Sequence, residues 1–165
     1  NRLGPVQVRP ATRQSLLPDS LQVVNVKHER CVAVVNCWIE VARDGDIEPT
    51  LRMDAEDVRF RFPGDSSWAT ELEGKEELRR WLERFADVGI QIFPDEVVLK
   101  GFPWKQTICI RGTDHLDSTE GERMYENRYV IWGRLAWGKL REYEVYEDTQ
   151  KSKALDEYLA SIGKL

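Results

Sequence analysis

A chain of 165 residues, 41% of them hydrophobic, is long enough for one domain around one core. A net charge of −5, a sequence pI near 5.2 and scattered lysines and arginines argue against a nucleic-acid binder, which would show a basic patch. Mean hydropathy of −0.52 and the lack of any apolar run near ~20 residues argue against a membrane protein, so neither nucleic acid nor membrane is an expected partner.

Residues 1–20 read as an extended N-terminal arm punctuated by Pro5, Pro10 and Pro18, without the apolar stretch of a signal peptide. Residues 21–165 read as a single domain. A first helix is expected over 21–44, because Cys31, Val34, Val35, Trp38, Ile39 and Ala42 fall on one stripe and Asp44-Gly45-Asp46 supplies a stop. Pro49 suits the first turn of a short helix at 47–54. Val58, Phe60 and Phe62 alternate with Arg59 and Arg61, the pattern of a strand with one buried face, ended by Pro63-Gly64. Leu78, Trp81, Leu82 and Phe85 then place a helix over 75–88, closed by Gly89.

From residue 90 the texture turns to strands, expected around 91–100, 105–114, 123–133 and 138–147. Turn signals divide them at Gly101-Phe102-Pro103, Ser118-Thr119-Glu120-Gly121 and Trp137-Gly138. Asp148 or Thr149 can cap a last helix whose apolar stripe is Leu155, Tyr158, Leu159 and Ile162. Helices followed by a four-strand meander predict an α+β layer fold.

The chemistry-bearing residues are sparse. Cys31, Cys37 and Cys109 make an odd count with no CxxC, which suits free thiols in a reducing, cytoplasmic setting. His28 sits in a charged run and His115 follows Asp114 in an expected loop, and neither has a partner at ligand spacing. Asp57 reads as a cap or surface carboxylate. No dinucleotide fingerprint, P-loop or nucleophile elbow is present, so neither metal nor cofactor is expected.

The run CWIEVARDGDIEPTLRMDAEDVRFRFPGDSSW, followed by EGKEELRRWLERF, resembles the superfamily of nuclear transport factor 2, ketosteroid isomerase and the SnoaL-like polyketide cyclases. Trp38, Gly45-Asp46, Ala55, Asp57, Pro63-Gly64 and Gly74-Lys75-Glu76 carry the likeness, with Trp137-Gly138-Lys139-Leu140 and Tyr146-Glu147-Asp148-Thr149 matching the closing hairpin. The resemblance implies a cone: a curved, mixed and largely antiparallel sheet with helices packed on its concave face. It also implies an apolar pocket open at one end and a homodimer formed through the outer face of the sheet. Members of this superfamily include isomerases, cyclases, dehydratases and non-catalytic binding proteins, so activity must be argued from the site.

Laid on this sequence, the isomerase's oxyanion-hole Tyr falls on Trp38, its general-base Asp on Phe62 and its second acid near Val130. Phe62 and Val130 transfer no protons, so that isomerisation by those groups is rejected. The same overlay turns Glu126, Arg128, Val130 and Trp132 inward, facing Tyr143, Val145 and Glu147, and turns Tyr125, Asn127, Tyr129, Ile131, Glu144 and Tyr146 outward. A one-residue bulge in the hairpin would swap the two sets and make Tyr125 and Asn127 the site candidates.

On this reading Glu126 or Glu147 is the acid/base and Arg128 holds an oxyanion or carboxylate. Trp38, Phe60, Phe62, Trp81, Phe85, Trp104, Trp132 and Tyr143 line an aromatic pocket for an apolar or aromatic small molecule. Tyr125, Asn127, Tyr129 and Tyr146 would face the second subunit. Three functions stay open: a cofactor-independent cyclase, isomerase or dehydratase acting on a carbonyl compound, a non-catalytic binder, and a dimerisation unit with a filled cone.

Overall fold

The computed structural model describes residues 22–24, 36, 41 and 43–165. Its first element corrects an expectation. Gln22–Val24 is not helical but forms β1, which pairs parallel with residues 96–98. Two adjacent valines favour extended backbone, and a free sheet edge supplies their hydrogen bonds. Asn36, Val41, Arg43 and Asp44 are helical, and the turn ends at Gly45, whose φ of 68° only glycine adopts freely. The other residues of the expected stripe, Trp38 among them, lie outside the described residues.

Pro49 opens α1 (Glu48–Met53), which runs directly into β2 (Asp54–Phe62). A short strand, β3 (Thr70–Glu73), returns antiparallel to β2. In α2 (Lys75–Val88) the residues Leu78, Leu82, Phe85 and Val88 are buried, and Gly89 closes the helix in the left-handed conformation. The meander follows as β4 (Gln91–Phe102), β5 (Lys105–Asp117), β6 (Arg123–Ala136) and β7 (Lys139–Glu147). Asp148 caps α3 (Thr149–Ser161) by accepting from the Gln150 N–H at 3.0 Å.

The sheet order is β1-β4-β5-β6-β7-β2-β3, parallel at β1/β4 and β2/β7 and antiparallel elsewhere. Extra residues at Asp95 in β4, Met124 in β6 and Arg141 in β7, and a register break between Asp54 and Arg59 in β2, bend the strands, and the resulting sheet is curved and mixed. Leu78, Leu82 and Phe85 of α2 and Leu155 and Leu159 of α3 share one core with Val58, Phe60, Ile108, Ile110 and Val145 of the sheet. This is the expected α+β cone. No described helix is long and apolar enough to cross a membrane.

The closing hairpin carries a second correction. Along β6 the buried side chains are Tyr125, Asn127, Tyr129 and Ile131, while Glu126 and Arg128 are exposed and Val130 and Trp132 half-buried. Register explains it. Tyr129 pairs with Glu147 and Ile131 with Val145, and cross-strand partners share a face. Tyr143, Val145 and Glu147 therefore do lie on the inner face, but beside the opposite set of β6 residues from the one expected. The energetic reason is that Glu126 and Arg128 would be costly to desolvate, whereas Tyr125 and Asn127 can be buried with their hydrogen bonds satisfied.

Candidate functional site

Inside the cone, Phe62 from β2, Trp81 and Phe85 from α2 and Tyr125, Tyr129 and Ile131 from β6 converge on two carboxyl groups. These are Asp114 on β5 and Glu147 on β7. The aromatic wall is continuous. Trp81 stacks on Phe85 with centroids 5.6 Å apart and meets Phe62 at 6.0 Å and Trp68 at 5.9 Å. Two voids of about 40 and 20 Å³ share Phe62, Trp81, Phe85, Asp114 and Glu147 in their walls. Space of that size suits a water or two, well below the ~300 Å³ at which drug-sized ligands are held.

Asp114 is 5% exposed, and its Oδ1 has no hydrogen-bond partner among the described residues. Burial pushes its carboxyl up to about 6, while the Tyr125 hydroxyl beside it pulls the other way. Glu147 is pushed up to about 7, first by burial and then by the negative charge of Asp114. Its Oε1 accepts from the Ser152 hydroxyl and from the Tyr125 hydroxyl, the latter at 3.3 Å. Asn127 Nδ2 donates to the Tyr125 oxygen at 3.1 Å and to the Asp148 carbonyl at 3.0 Å, which fixes the tyrosine between the two acids. Burial also raises Tyr125 and Tyr129, so both phenols stay protonated as donors. Two acids that titrate near neutrality against one phenol can divide acid and base roles between them.

Gly112 positions Tyr129. A Cβ at Gly112 would lie 2.6 Å from the Tyr129 hydroxyl oxygen and 2.4 Å from the Phe93 carbonyl, so only glycine leaves the ring room to lie across β5.

The expected site residues divide into several groups. Glu147, Phe62, Trp81 and Phe85 line the cavity. Phe60 and Tyr143 lie behind it in the core, with ring centroids 4.9 Å apart. Glu126 is on the outer face, 63% exposed and paired with Arg123 at 3.0 Å, and Arg128 is exposed on the same face. Trp132 is also outside, beneath the Arg134 guanidinium, and Trp104 projects from a turn at 54% exposure. Trp38 lies outside the described residues. Of the residues expected to meet a second subunit, Tyr125, Asn127 and Tyr129 instead point inward, and Tyr146 faces outward.

The structure adds Asp114, Ser152 and Trp68 to the expected residues. The sequence reading ends a strand at Asp114, but β5 continues to Asp117. The alternation of Ile108, Ile110, Gly112, Asp114 and Leu116 is the signal that finds it. A separate polar residue lies in the core. Asp54 is fully buried, neither of its carboxyl oxygens has a partner among the described residues, and burial pushes it up to about 7.

No protein-family model matches the chain, and no curated protein matches it. Solved structures do match. An NTF2-like protein of unknown function from Burkholderia pseudomallei K96243 is 20% identical, with a TM-score of 0.60 over 79% of this chain and 95% of that one. TerC, co-crystallised with polyporic acid, is 21% identical, with a TM-score of 0.64 over 78% of this chain and 98% of its own. PrhC from Penicillium brasilianum NBRC 6234 is 17% identical, with a TM-score of 0.64 over 82% of this chain and 91% of its own.

Proposed function

Starting from the nuclear transport factor 2-like fold that these likenesses show, we propose that the chain is an acid–base enzyme acting on a small carbonyl compound. One observation carries this reading: two buried carboxyls, Asp114 and Glu147, face one aromatic-walled cavity, and one of them keeps an oxygen with no protein partner among the described residues. In this proposal Asp114, whose Oδ1 keeps no hydrogen-bond partner among the described residues, is the carboxylate that removes a proton from carbon next to the carbonyl. Protonated Glu147 and the Tyr125 hydroxyl donate hydrogen bonds to the carbonyl oxygen as it gains negative charge. In an unsaturated substrate the proton then returns from Asp114 to a different carbon as the double bond shifts, an isomerase outcome. In a cyclase outcome the enolate carbon bonds to a second carbonyl carbon of the same molecule, that C=O opens, and Asp114 gives its proton to the new alkoxide oxygen. Phe62, Trp81 and Phe85 exclude water and keep both acids near neutrality. TerC holding polyporic acid supports a small-molecule occupant.

A non-catalytic binder with the same cavity is the second reading, favoured by Phe62 and Val130, which transfer no protons, standing where the isomerase carboxylates fall. Exchange of solvent deuterium into a panel of 1,3-dicarbonyl compounds, followed by NMR, separates the two. The enzyme reading expects exchange that Asp114→Asn and Glu147→Gln each slow by at least ~100-fold. Binding without exchange leaves the binder, and exchange unchanged in both variants ends the mechanism. The same proposal includes a cytoplasmic homodimer, joined through the outer sheet face that presents Val130, Trp132 and Tyr146.

A further inference from the structure

The end of the sheet remote from the acids carries three exposed aromatic side chains. Phe102 (66% exposed) ends β4, Trp104 (54%) comes from the β4–β5 turn, and Trp137 (73%) comes from the β6–β7 turn. They form one group. Phe102 and Trp104 stack at 5.1 Å, the Trp104 and Trp137 centroids are 6.1 Å apart, and the Trp137 N–H donates to the Pro103 carbonyl at 2.7 Å. That bond ties the two turns together and holds Trp137 at a φ of 55°, a conformation uncommon for an aromatic residue. Clustered exposed aromatics of this kind mark an interaction surface more often than a neutral one.

Charge along the strand segments that carry the group is one-sided. The chain carries −5 overall, yet residues 97–113 and 127–141 contain no Asp or Glu. Lys100, Lys105, Arg134 and Lys139 flank the aromatics, and Arg52 joins them where Lys139 Nζ reaches its carbonyl. Lys100 and Lys105 enter no salt bridge with a described residue. Glu142, which pairs in register with Arg134, is held by Arg59 at 3.0 Å.

We propose that this tip is a docking surface for an anionic lipid bilayer. Charge complementarity selects the partner: indoles rest at the boundary between headgroup and acyl chain while lysines meet lipid phosphates and carboxylates. Shape agrees with it. The aromatics project from a strand end and the turns and line none of the cavities described above, whereas a single-stranded nucleic acid or a peptide needs a groove. Asp114 lies nine positions along β5 from Lys105, about 30 Å of strand, so a docked tip leaves the acid cavity away from the bilayer. Such peripheral contact needs no spanning segment, and it departs from the expectation, drawn from composition, of no membrane partner.

The test is co-sedimentation of the full chain with sucrose-loaded vesicles, together with tryptophan emission. Phosphatidylcholine vesicles containing about one-third phosphatidylserine should pellet the protein and shift its emission to the blue, at least tenfold more strongly than phosphatidylcholine alone. Roughly 0.5 M salt should release it. Lys100→Glu combined with Lys105→Glu, and separately Trp104→Ser combined with Trp137→Asn, should each weaken binding at least tenfold while circular dichroism stays unchanged. Asn tolerates the positive φ at position 137. Equal binding to both vesicle types, or none, overturns the proposal. So does tighter binding to a single-stranded oligouridylate, or a fall in oligomeric mass in the tryptophan variant, which would show a second copy covering the tip.

Discussion

Replacing Glu147 by Gln should stabilise the protein at alkaline pH and leave it unchanged in acid. The carboxyl titrates at about 7 in the fold against an ordinary value of 4.5, mainly because it is buried. Between those two values the folded chain holds a proton that the unfolded chain has released. Stability therefore falls as pH rises through this window, and the full cost is present above about pH 7. Roughly two and a half pH units at about 1.36 kcal/mol each amount to about 3 kcal/mol. The amide that Glu147→Gln introduces never ionises, and its oxygen can still accept from Ser152 and Tyr125. Urea unfolding near pH 8 should show the variant more stable by about 3 kcal/mol, equivalent to a Tm gain of roughly 6–12 °C. Near pH 4 the two proteins should unfold together. Asp54 is present in both proteins and its titration cancels in the difference, whereas Asp114 is coupled to Glu147, so the difference also contains the relief of that repulsion. An equal difference at both pH values would mean that the fold does not raise the Glu147 carboxyl, and a less stable variant near pH 8 that it favours the carboxylate. The acid–base assignment would then fail.

The other expectations concern single residues. Gly112→Val should push Tyr129 and the Phe93 carbonyl apart and cost at least ~2 kcal/mol, with a change in tyrosine near-UV dichroism. Asp54→Asn should stabilise the protein near pH 8 and not near pH 4, by the same linkage as Glu147, because burial raises its carboxyl to about 7. Phe60→Ala, at the back of the aromatic wall, should lower stability by about 3–5 kcal/mol in urea titration. Arg128→Ala and Glu126→Gln should shift stability by no more than ~0.5 kcal/mol and leave deuterium exchange unchanged, since both side chains sit on the outer face.

Where one physical signal dominates, the residues are easy to read. Phe60 and Phe62 alternating with arginines announce β2, and Leu78, Leu82 and Phe85 at helical spacing announce α2. In β6 two signals compete. Val130 and Trp132 are as apolar as Tyr129 and Ile131, so hydropathy cannot choose the inner face, and only the pairing with Val145 and Glu147 does. Asp114 is hidden for a related reason. A carboxylate on an inward strand position looks like a strand end until Leu116 shows that the alternation continues. The brief β3 of Thr-Glu-Leu-Glu carries too little pattern to stand out, and its existence depends on the edge of β2 waiting for a partner. Val23 and Val24 join a strand rather than a helix because an edge elsewhere in the fold offers hydrogen bonds.

Those two edges bear on how the protein behaves in concentrated solution. The sheet is open, and β1 and β3 each leave one row of backbone groups without a neighbouring strand among the described residues. β1 is three residues long and β3 four, too short for a second molecule to pair along much length. On β3 the exposed Glu71 and Glu73 add negative charge that repels a like edge. Replacing both glutamates by neutral residues would remove the repulsion while the open edge remains, so that variant is where stacking into filaments should begin.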